Sequence, residues 1–425
     1  MPTLLEKGEG LAETHVFLED IQQVLSRKFG ANAKLDGSTK YTVIGDGNGF
    51  LSKVLLIEPN WNEEGLPKKF VLKIASAVHI ASISEKMKET GMVFPPEIEK
   101  KMWEKFENES KHFHNREVHV YQIFEKWNIP NILLNPKVYF SQEFDEENTL
   151  KGFIGMEFAE NAEIRHIYCN VEPESLYPVL KSIANFQVKS LTISESDRES
   201  ISGFNYKEMM KETQNDETLK GMFLGVKNID EKRLAEKCEK LAEIGSALLD
   251  LELPEHLNEI EGIKQDVMVH GDLWAANIIW RKTGENEYEV NKLLDYQLVH
   301  FGNPAEDLVR LFLSTLSGKD FNENWEKLVE KFYEYFLEAF NSENHGTSEI
   351  PFSLKQLKSS FDRFFLLAAF FMLPMFGPIA QTKLAKVGND DINEDERLKI
   401  KEILAEKSDV LLDNMIKHYE MYKTI

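Results

Sequence analysis

Apolar positions recur at two different spacings along this chain. From His15 to Phe29 they fall at helical spacing, with Phe17, Ile21, Val24 and Leu25 on one face and Gly30 where a C-cap is expected. Shorter runs at Lys40–Ile44, Leu51–Glu58 and Lys69–Ala75, separated by glycine- and proline-bearing turns, read as strands. The segment Ser84–Lys111 is charged, helical in character, and reads as an insertion. A helix over Asn115–Trp127 and strands near Lys137–Gln142 and Phe153–Phe158 follow. Beyond Phe158 the pattern changes to long helical periods: Glu174–Val188, Glu231–Leu251, Asn322–Phe340, Leu354–Leu373 and Glu394–Tyr422. A hairpin interrupts them, with Ile278–Trp280 and Val290–Tyr296 flanking the turn-rich residues 282–286. The pattern predicts an α+β protein in two lobes. Residues 1–160 form a small mixed-sheet lobe with a helical insertion near 84–111, and residues 161–425 form a larger, mainly helical lobe.

Composition narrows the partners. The chain has 425 residues, too many for one ordinary core, with 42% hydrophobic and 11% aromatic residues, as in a folded protein. Lysine and arginine number 50 against 72 acidic residues, a formal charge of −22, which argues against nucleic acid or an anionic membrane as partner. A polyanionic ligand would then need local devices: glycine loops, a few cations, a metal. Cys169 and Cys238 have no zinc-like spacing and suit a reducing compartment. The first residues lack the apolar core of a signal peptide. The stretch Phe364–Ala380 is short for a membrane span and is interrupted by Pro374, Gly377 and Pro378, so a buried helix ending near Leu373 is expected. These features predict a cytoplasmic protein without a membrane span.

The chemistry concentrates in Val269-His270-Gly271-Asp272-Leu273-Trp274-Ala275-Ala276-Asn277 and in Leu293-Leu294-Asp295, where Asp295 lies 18 residues beyond Asn277. An H-x-D-x-x-x-x-N run with a second aspartate after a short hairpin is the catalytic-loop spacing of kinase-like phosphotransferases. Antiparallel pairing about the turn near 284–286 is expected to return position 277 beside 292–295, so that Asn277 and Asp295 converge as oxygen ligands suited to Mg2+. Asp272, on the loop that feeds the strand, would receive the proton of an attacking hydroxyl. Either motif alone is also compatible with a surface turn and a strand-capping acid.

Three further features point the same way, each with a plainer alternative. Gly45, Gly47 and Gly49 lie between two strands, where backbone amides could approach phosphate oxygens, although glycine-rich hairpin turns are common. Lys73 sits midway along the apolar strand Phe70-Val71-Leu72-Lys73-Ile74, opposite in facing to Phe70, Leu72 and Ile74, and needs a partner unless it snorkels from an edge. Glu117 lies on the stripe with Val120, Tyr121 and Phe124, where an unpaired acid is unusual unless it only favours the helix dipole. A Lys73–Glu117 ion pair removes both anomalies. His112 and His114 are expected at a solvated helix start. Pro304 fits the first turn of a helix in which Asp307 could bond backbone amides of the catalytic loop or serve as a helix-start acid.

HGDLWAANIIW, LLDYQ and HFGNPAEDLVRL resemble the CHK kinase-like family, the ecdysteroid-kinase-like branch related to choline kinases and aminoglycoside phosphotransferases. IGDGNGFLSKV and HNREVHVY are similar to invertebrate members of that branch, nematode ones in expectation. The resemblance runs from about Thr39 to beyond Leu313. It implies a bilobal protein-kinase-like fold, ATP and Mg2+ as cofactors, and transfer of the γ-phosphoryl group to a small-molecule hydroxyl. By matching motif, Asp272 would be the base with His270 supporting it, and Asn277 and Asp295 would bind metal. Lys73 would hold phosphates with Glu117 orienting it, and Gly45 to Gly49 would cover them. The run Gly152–Glu160 joins the lobes. There Glu157 and Ala159 would offer backbone groups to an adenine edge, and an ordinary buried strand explains the run equally well.

The Asn303–Asp307 helix start follows almost directly on Asp295, leaving no room for a phosphorylatable activation loop or an A-P-E segment. Gly271 also stands where H-R-D has arginine. No protein substrate is expected. The acceptor stays open among a sterol-like alcohol, a xenobiotic metabolite and an amino alcohol. The alternative is a catalytically idle kinase-fold protein that binds nucleotide or a lipophilic ligand.

Overall fold

The computed structural model describes residues 2–30, 33–35, 37–44, 51–61, 65–79, 81, 96–129, 132–210, 216–285, 287–343, 349–379, 384 and 393–422. The fold is α+β and divides into two compact units. The first comprises Met1–Asn128, Asn135–Glu160 and Asp295–Leu298, and the second comprises Ile129–Leu134, Asn161–Leu294 and Val299–Ile425.

The first unit is built on one antiparallel sheet. Helix α1 (Leu18–Phe29) begins where the Asp20 carboxylate accepts the Phe17 N–H at 2.8 Å, and it ends at Gly30, whose φ of +84° suits a residue without a side chain. Strands β1 (Lys40–Val43), β2 (Ser52–Glu58) and β3 (Phe70–Ala75) follow, then helix α2 (Pro96–Trp127), β4 (Val138–Gln142) and β5 (Phe153–Glu157). The five strands lie in the order β1-β2-β3-β5-β4, which puts β3 at the centre. Phe70, Leu72 and Ile74 of β3 are fully buried with Ile21 and Leu25 of α1 and Leu55 and Ile57 of β2. The alternation of β3 therefore turns Lys73 to the face away from that core.

Helix α2 corrects an expectation. The charged insertion and the helix after it were expected as separate elements, but Pro96–Trp127 is one helix of 32 residues. No glycine or proline occurs between Glu97 and Trp127 to break it. Glu117 consequently lies deep inside a helix and not in a first turn, which removes the helix-dipole reading. His114 is not at a solvated start either. It is buried, its Nε2 meets the Gln142 carbonyl at 2.9 Å, and burial pushes its imidazole down to about 4.

The second unit is mainly helical. It contains β6 (Ala162–Ile164), α3 (Tyr177–Ser190), α4 (Glu195–Ser200), α5 (Tyr206–Met210), α6 (Asp216–Lys227), α7 (Glu231–Ile244) and α8 (Leu253–Glu261). Strands β7 (Val267–Val269), β8 (Ile278–Lys282), β9 (Tyr288–Leu293) and β10 (His300–Gly302) come next. Helices α9 (Glu306–Thr315), α10 (Gly318–Ser342), α11 (Leu354–Pro374) and α12 (Glu394–Tyr422) complete the unit. Strand β8 pairs antiparallel with both β6 and β9, and β7 pairs with β10. Helix α11 lies in a segment apolar and long enough to cross a membrane by composition. Here its Phe361, Phe364, Phe365 and Phe370 are buried in the helical core. A Ser353–Gln356 capping box starts it.

Helix α9 is the element that places the chemistry. Pro304 precedes it, and its start is locked by side chains: Glu306 Oε1 accepts the Asn303 N–H at 2.6 Å, and Asn303 Oδ1 accepts the Ala305 N–H at 2.9 Å. Asn303 is itself fully buried and donates to Asn258 Oδ1 and Ser360 Oγ. The axis of α9 is thereby fixed against α8 and α11.

Candidate functional site

In the first unit, the central position of β3 and the core-facing stripe of α2 bring two opposite charges together. Lys73 Nζ donates to Glu117 Oε2 at 2.6 Å and to Asp295 Oδ1 at 2.7 Å. Only 1% of the Glu117 side chain and 13% of the Lys73 side chain are exposed, so both charges act with little solvent screening. Burial works against the Lys73 ammonium, but Asp295 and then Glu117 outweigh it and hold Lys73 above its ordinary value. Burial also pushes Glu117 upward, opposed by the Lys73 charge. Tyr121, one turn on along α2, is kept a neutral phenol by burial and by Glu117, and its ring meets Tyr296 edge-on at 5.6 Å.

Asp295 has a φ of +70°, left-handed backbone that is costly for a residue with a side chain. One ammonium there faces two carboxyl groups. Asp295 Oδ2 accepts no hydrogen bond among the described residues. A second cation would satisfy both conditions.

The second unit holds the loop between β7 and β8. Gly271, with φ +77°, turns the chain sharply at a place where a side chain would be strained. Asp307 of α9 accepts the His270 N–H at 2.7 Å and the Gly271 N–H at 3.0 Å. Burial raises the Asp307 carboxyl to about 6, against the pull of those two amides. The fully buried His270 ring sits between the Asp272 N–H, at 3.3 Å from Nδ1, and the Leu294 carbonyl, at 3.0 Å from Nε2. One neutral tautomer serves both bonds. Asn277 Nδ2 donates to the Asp272 carbonyl at 2.8 Å and to Asp272 Oδ2 at 2.9 Å. Its Oδ1 accepts no hydrogen bond among the described residues. The Asn277 carbonyl accepts the Leu294 N–H at 2.9 Å, which closes the β8–β9 hairpin at its open end.

Sequence reasoning missed Arg310. Its Nη2 lies 2.6 Å from Asp272 Oδ1, and its Nη1 donates to the Gly271 carbonyl at 3.2 Å. The signal was present but unread: Arg310 lies three residues after Asp307 and four before Ser314, one stripe of α9. Ser314 Oγ accepts the Ala275 N–H at 3.0 Å.

The structure thus gathers Lys73, Glu117 and Asp295 in the first unit and His270, Asp272, Asn277 and Asp307 in the second. Glu157 ends β5, its N–H already given to the Lys137 carbonyl at 2.8 Å, and Ala159 lies just beyond the strand, half-buried. Gly45, Gly47 and Gly49 lie outside the described residues.

Residues 4–423 match the family DUF1679, described as "Uncharacterized oxidoreductase dhs-27". A Caenorhabditis elegans protein named "Uncharacterized oxidoreductase dhs-27" is 26% identical over 268 residues, 62% of this chain and 31% of that protein. The aligned stretch therefore spans about a third of that relative. Among solved structures, one from Ralstonia eutropha, described as a candidate aminoglycoside phosphotransferase, is 14% identical with a TM-score of 0.43. It covers 94% of this chain and 98% of its own. A Plasmodium vivax ethanolamine kinase is 14% identical with a TM-score of 0.36, covering 87% and 81%.

Proposed function

The chain belongs to the DUF1679 family, and on that premise and the geometry above we propose that it is an ATP- and Mg2+-dependent phosphotransferase that acts on a hydroxyl of a small molecule. The finer placement we propose is with the CHK kinase-like proteins. The observation that carries the reading is Lys73, held between Glu117 at 2.6 Å and Asp295 at 2.7 Å. A lysine kept ionised by a helix glutamate is suited to the phosphates of a nucleotide. Asp272, with both carboxylate oxygens fixed by neighbours, is suited to orient the acceptor hydroxyl and take its proton.

The oxygens suit magnesium one by one. Asp295 Oδ2 in the first unit and Asn277 Oδ1 in the second are hard oxygens, each without a protein donor among the described residues, and Mg2+ commonly takes few protein ligands plus water and phosphate. By the sequence motif each would be a ligand, and when bound the ion supplies neutralisation of phosphate charge.

The word oxidoreductase stands both in the description of the family and in the name of a relative of which this chain matches about a third. Dinucleotide-dependent hydride transfer on a doubly wound fold uses a parallel sheet with a G-x-G-x-x-G turn. Every strand pair among the described residues is antiparallel. That contrast favours phosphoryl transfer for this chain.

The test is an ATP-dependent mass-shift screen of the purified protein against a panel of small alcohols, with Asp295→Ala as the blank. A phosphorylated product made by the wild type and not by the blank supports the reading, and equal product in both overturns it. On that acceptor, Asp272→Asn should bind ATP normally and turn over ~10²–10⁴-fold more slowly, the usual loss for a general base.

A further inference from the structure

We propose that Arg310 is a positioning residue for Asp272: it sets the carboxylate's orientation from outside the loop, on the phosphotransferase reading above. Gly271 offers no side chain to hold its neighbour, and its left-handed backbone makes Asp272 depend on contacts from elsewhere. The guanidinium supplies them as a fork. One nitrogen takes the Asp272 carboxylate at 2.6 Å and the other takes the Gly271 carbonyl at 3.2 Å, so consecutive residues are fixed by one rigid plane. Asn277 holds the other carboxylate oxygen at 2.9 Å, which leaves the carboxylate no freedom to rotate.

Arg310 does not act alone. On one stripe of α9, Asp307 grips the amides of His270 and Gly271, Arg310 grips Gly271 and Asp272, and Ser314 grips the amide of Ala275. The helix is a template against which the loop is laid. A lysine at 310 would keep the charge and lose the two-pronged geometry. Arg310 Nε is buried without an acceptor among the described residues, and the residue lines a cavity of about 10 Å³ with Tyr206, Phe364 and Phe371, room for a single water. The acceptor molecule is therefore not held in that cavity, and Arg310 acts through Asp272.

The experiment measures kcat and KM for Mg·ATP, with water as acceptor (phosphate release) and with any alcohol identified as above. It compares wild type, Arg310→Met, Arg310→Lys, Asp272→Asn and the Arg310→Met/Asp272→Asn double variant, alongside melting temperatures. Arg310→Met is expected to lower kcat by ~10–100-fold and leave KM for ATP unchanged. Arg310→Lys recovers part of the loss, and Arg310→Met adds nothing to Asp272→Asn. The inference is overturned by an equal further loss in the Asp272→Asn background, or by a lowered melting temperature with kcat intact. If Arg310→Met does not fold, Arg310→Lys carries the same kcat-against-KM comparison. A wild type that transfers no phosphate to water or any alcohol removes the phosphotransferase reading and the inference with it. An active wild type matched by Arg310→Met removes the inference alone.

Discussion

Lys73 is a mostly buried lysine on the central strand of the first unit, and Lys407 is a fully buried one on the last helix of the second. Lys73 meets two carboxylates and is held above its ordinary value despite its burial. Among the described residues Lys407 donates only to two carbonyls, Ile167 at 2.8 Å and Ser314 at 3.1 Å, and burial pushes its amine down to about 7. Depth is the same in kind, and the partners decide the outcome. A neutral dipole can satisfy an N–H without compensating the cost of a buried charge, whereas a carboxylate does both. Burial of a cation is therefore weak evidence of a phosphate site.

The comparison breaks most easily at Lys73. Replacing it by methionine leaves a buried Glu117 without its cation and should cost about 3–5 kcal/mol in denaturant unfolding, as for other broken buried pairs. Adding Glu117→Gln should recover much of that loss. An unchanged midpoint in Lys73→Met would mean that the pair is not a coupled charge at all.

Asp307 gives the next largest effect, from the acidic side. Its folded value of about 6 lies above the ordinary 3.8, so its contribution to stability is complete below about pH 4 and is lost as pH rises through 6. A slope amounting to at most about 3 kcal/mol should vanish in Asp307→Asn. Melting temperatures of the two proteins across that interval check it, and parallel curves would remove the buried-acid account.

Lys407→Met should change stability little near pH 10 and give the opposite slope to Asp307. The folded value near 7 lies below the ordinary 10.5, so the wild type gains stability as pH rises between them. The variant loses two hydrogen bonds, about 1–3 kcal/mol near pH 10, and this deficit should shrink and then reverse toward pH 6, where the wild type buries a charge. A deficit independent of pH would show that Lys407 stays protonated and would narrow the contrast with Lys73.

Much of the fold was readable because local patterns were undisturbed. The β3 alternation that singled out Lys73 is the observed one, and α12 runs over the residues that periodicity marked. The loop residues His270, Asp272 and Asn277 were readable because their spacing is short. What failed needed tertiary knowledge. The insertion before Glu117 looked separate because charge changes along it, although its helical propensity does not. Arg310 and Lys407 were passed over because each lies on a helix with other charged residues nearby in sequence. Only docking shows that one reaches a carboxylate and the other reaches carbonyls. The short helices between Glu195 and Lys227 carried too little repeat to be seen.

The grip of α9 on the β7–β8 loop has a consequence for motion. The amides of His270, Gly271 and Ala275 end on side chains of a single helix, so none of them can open to solvent by ordinary loop fraying. Their hydrogen exchange should follow that of α9 itself, as one cooperative unit. The segment then has the covalent form of a loop and the persistence of a helix.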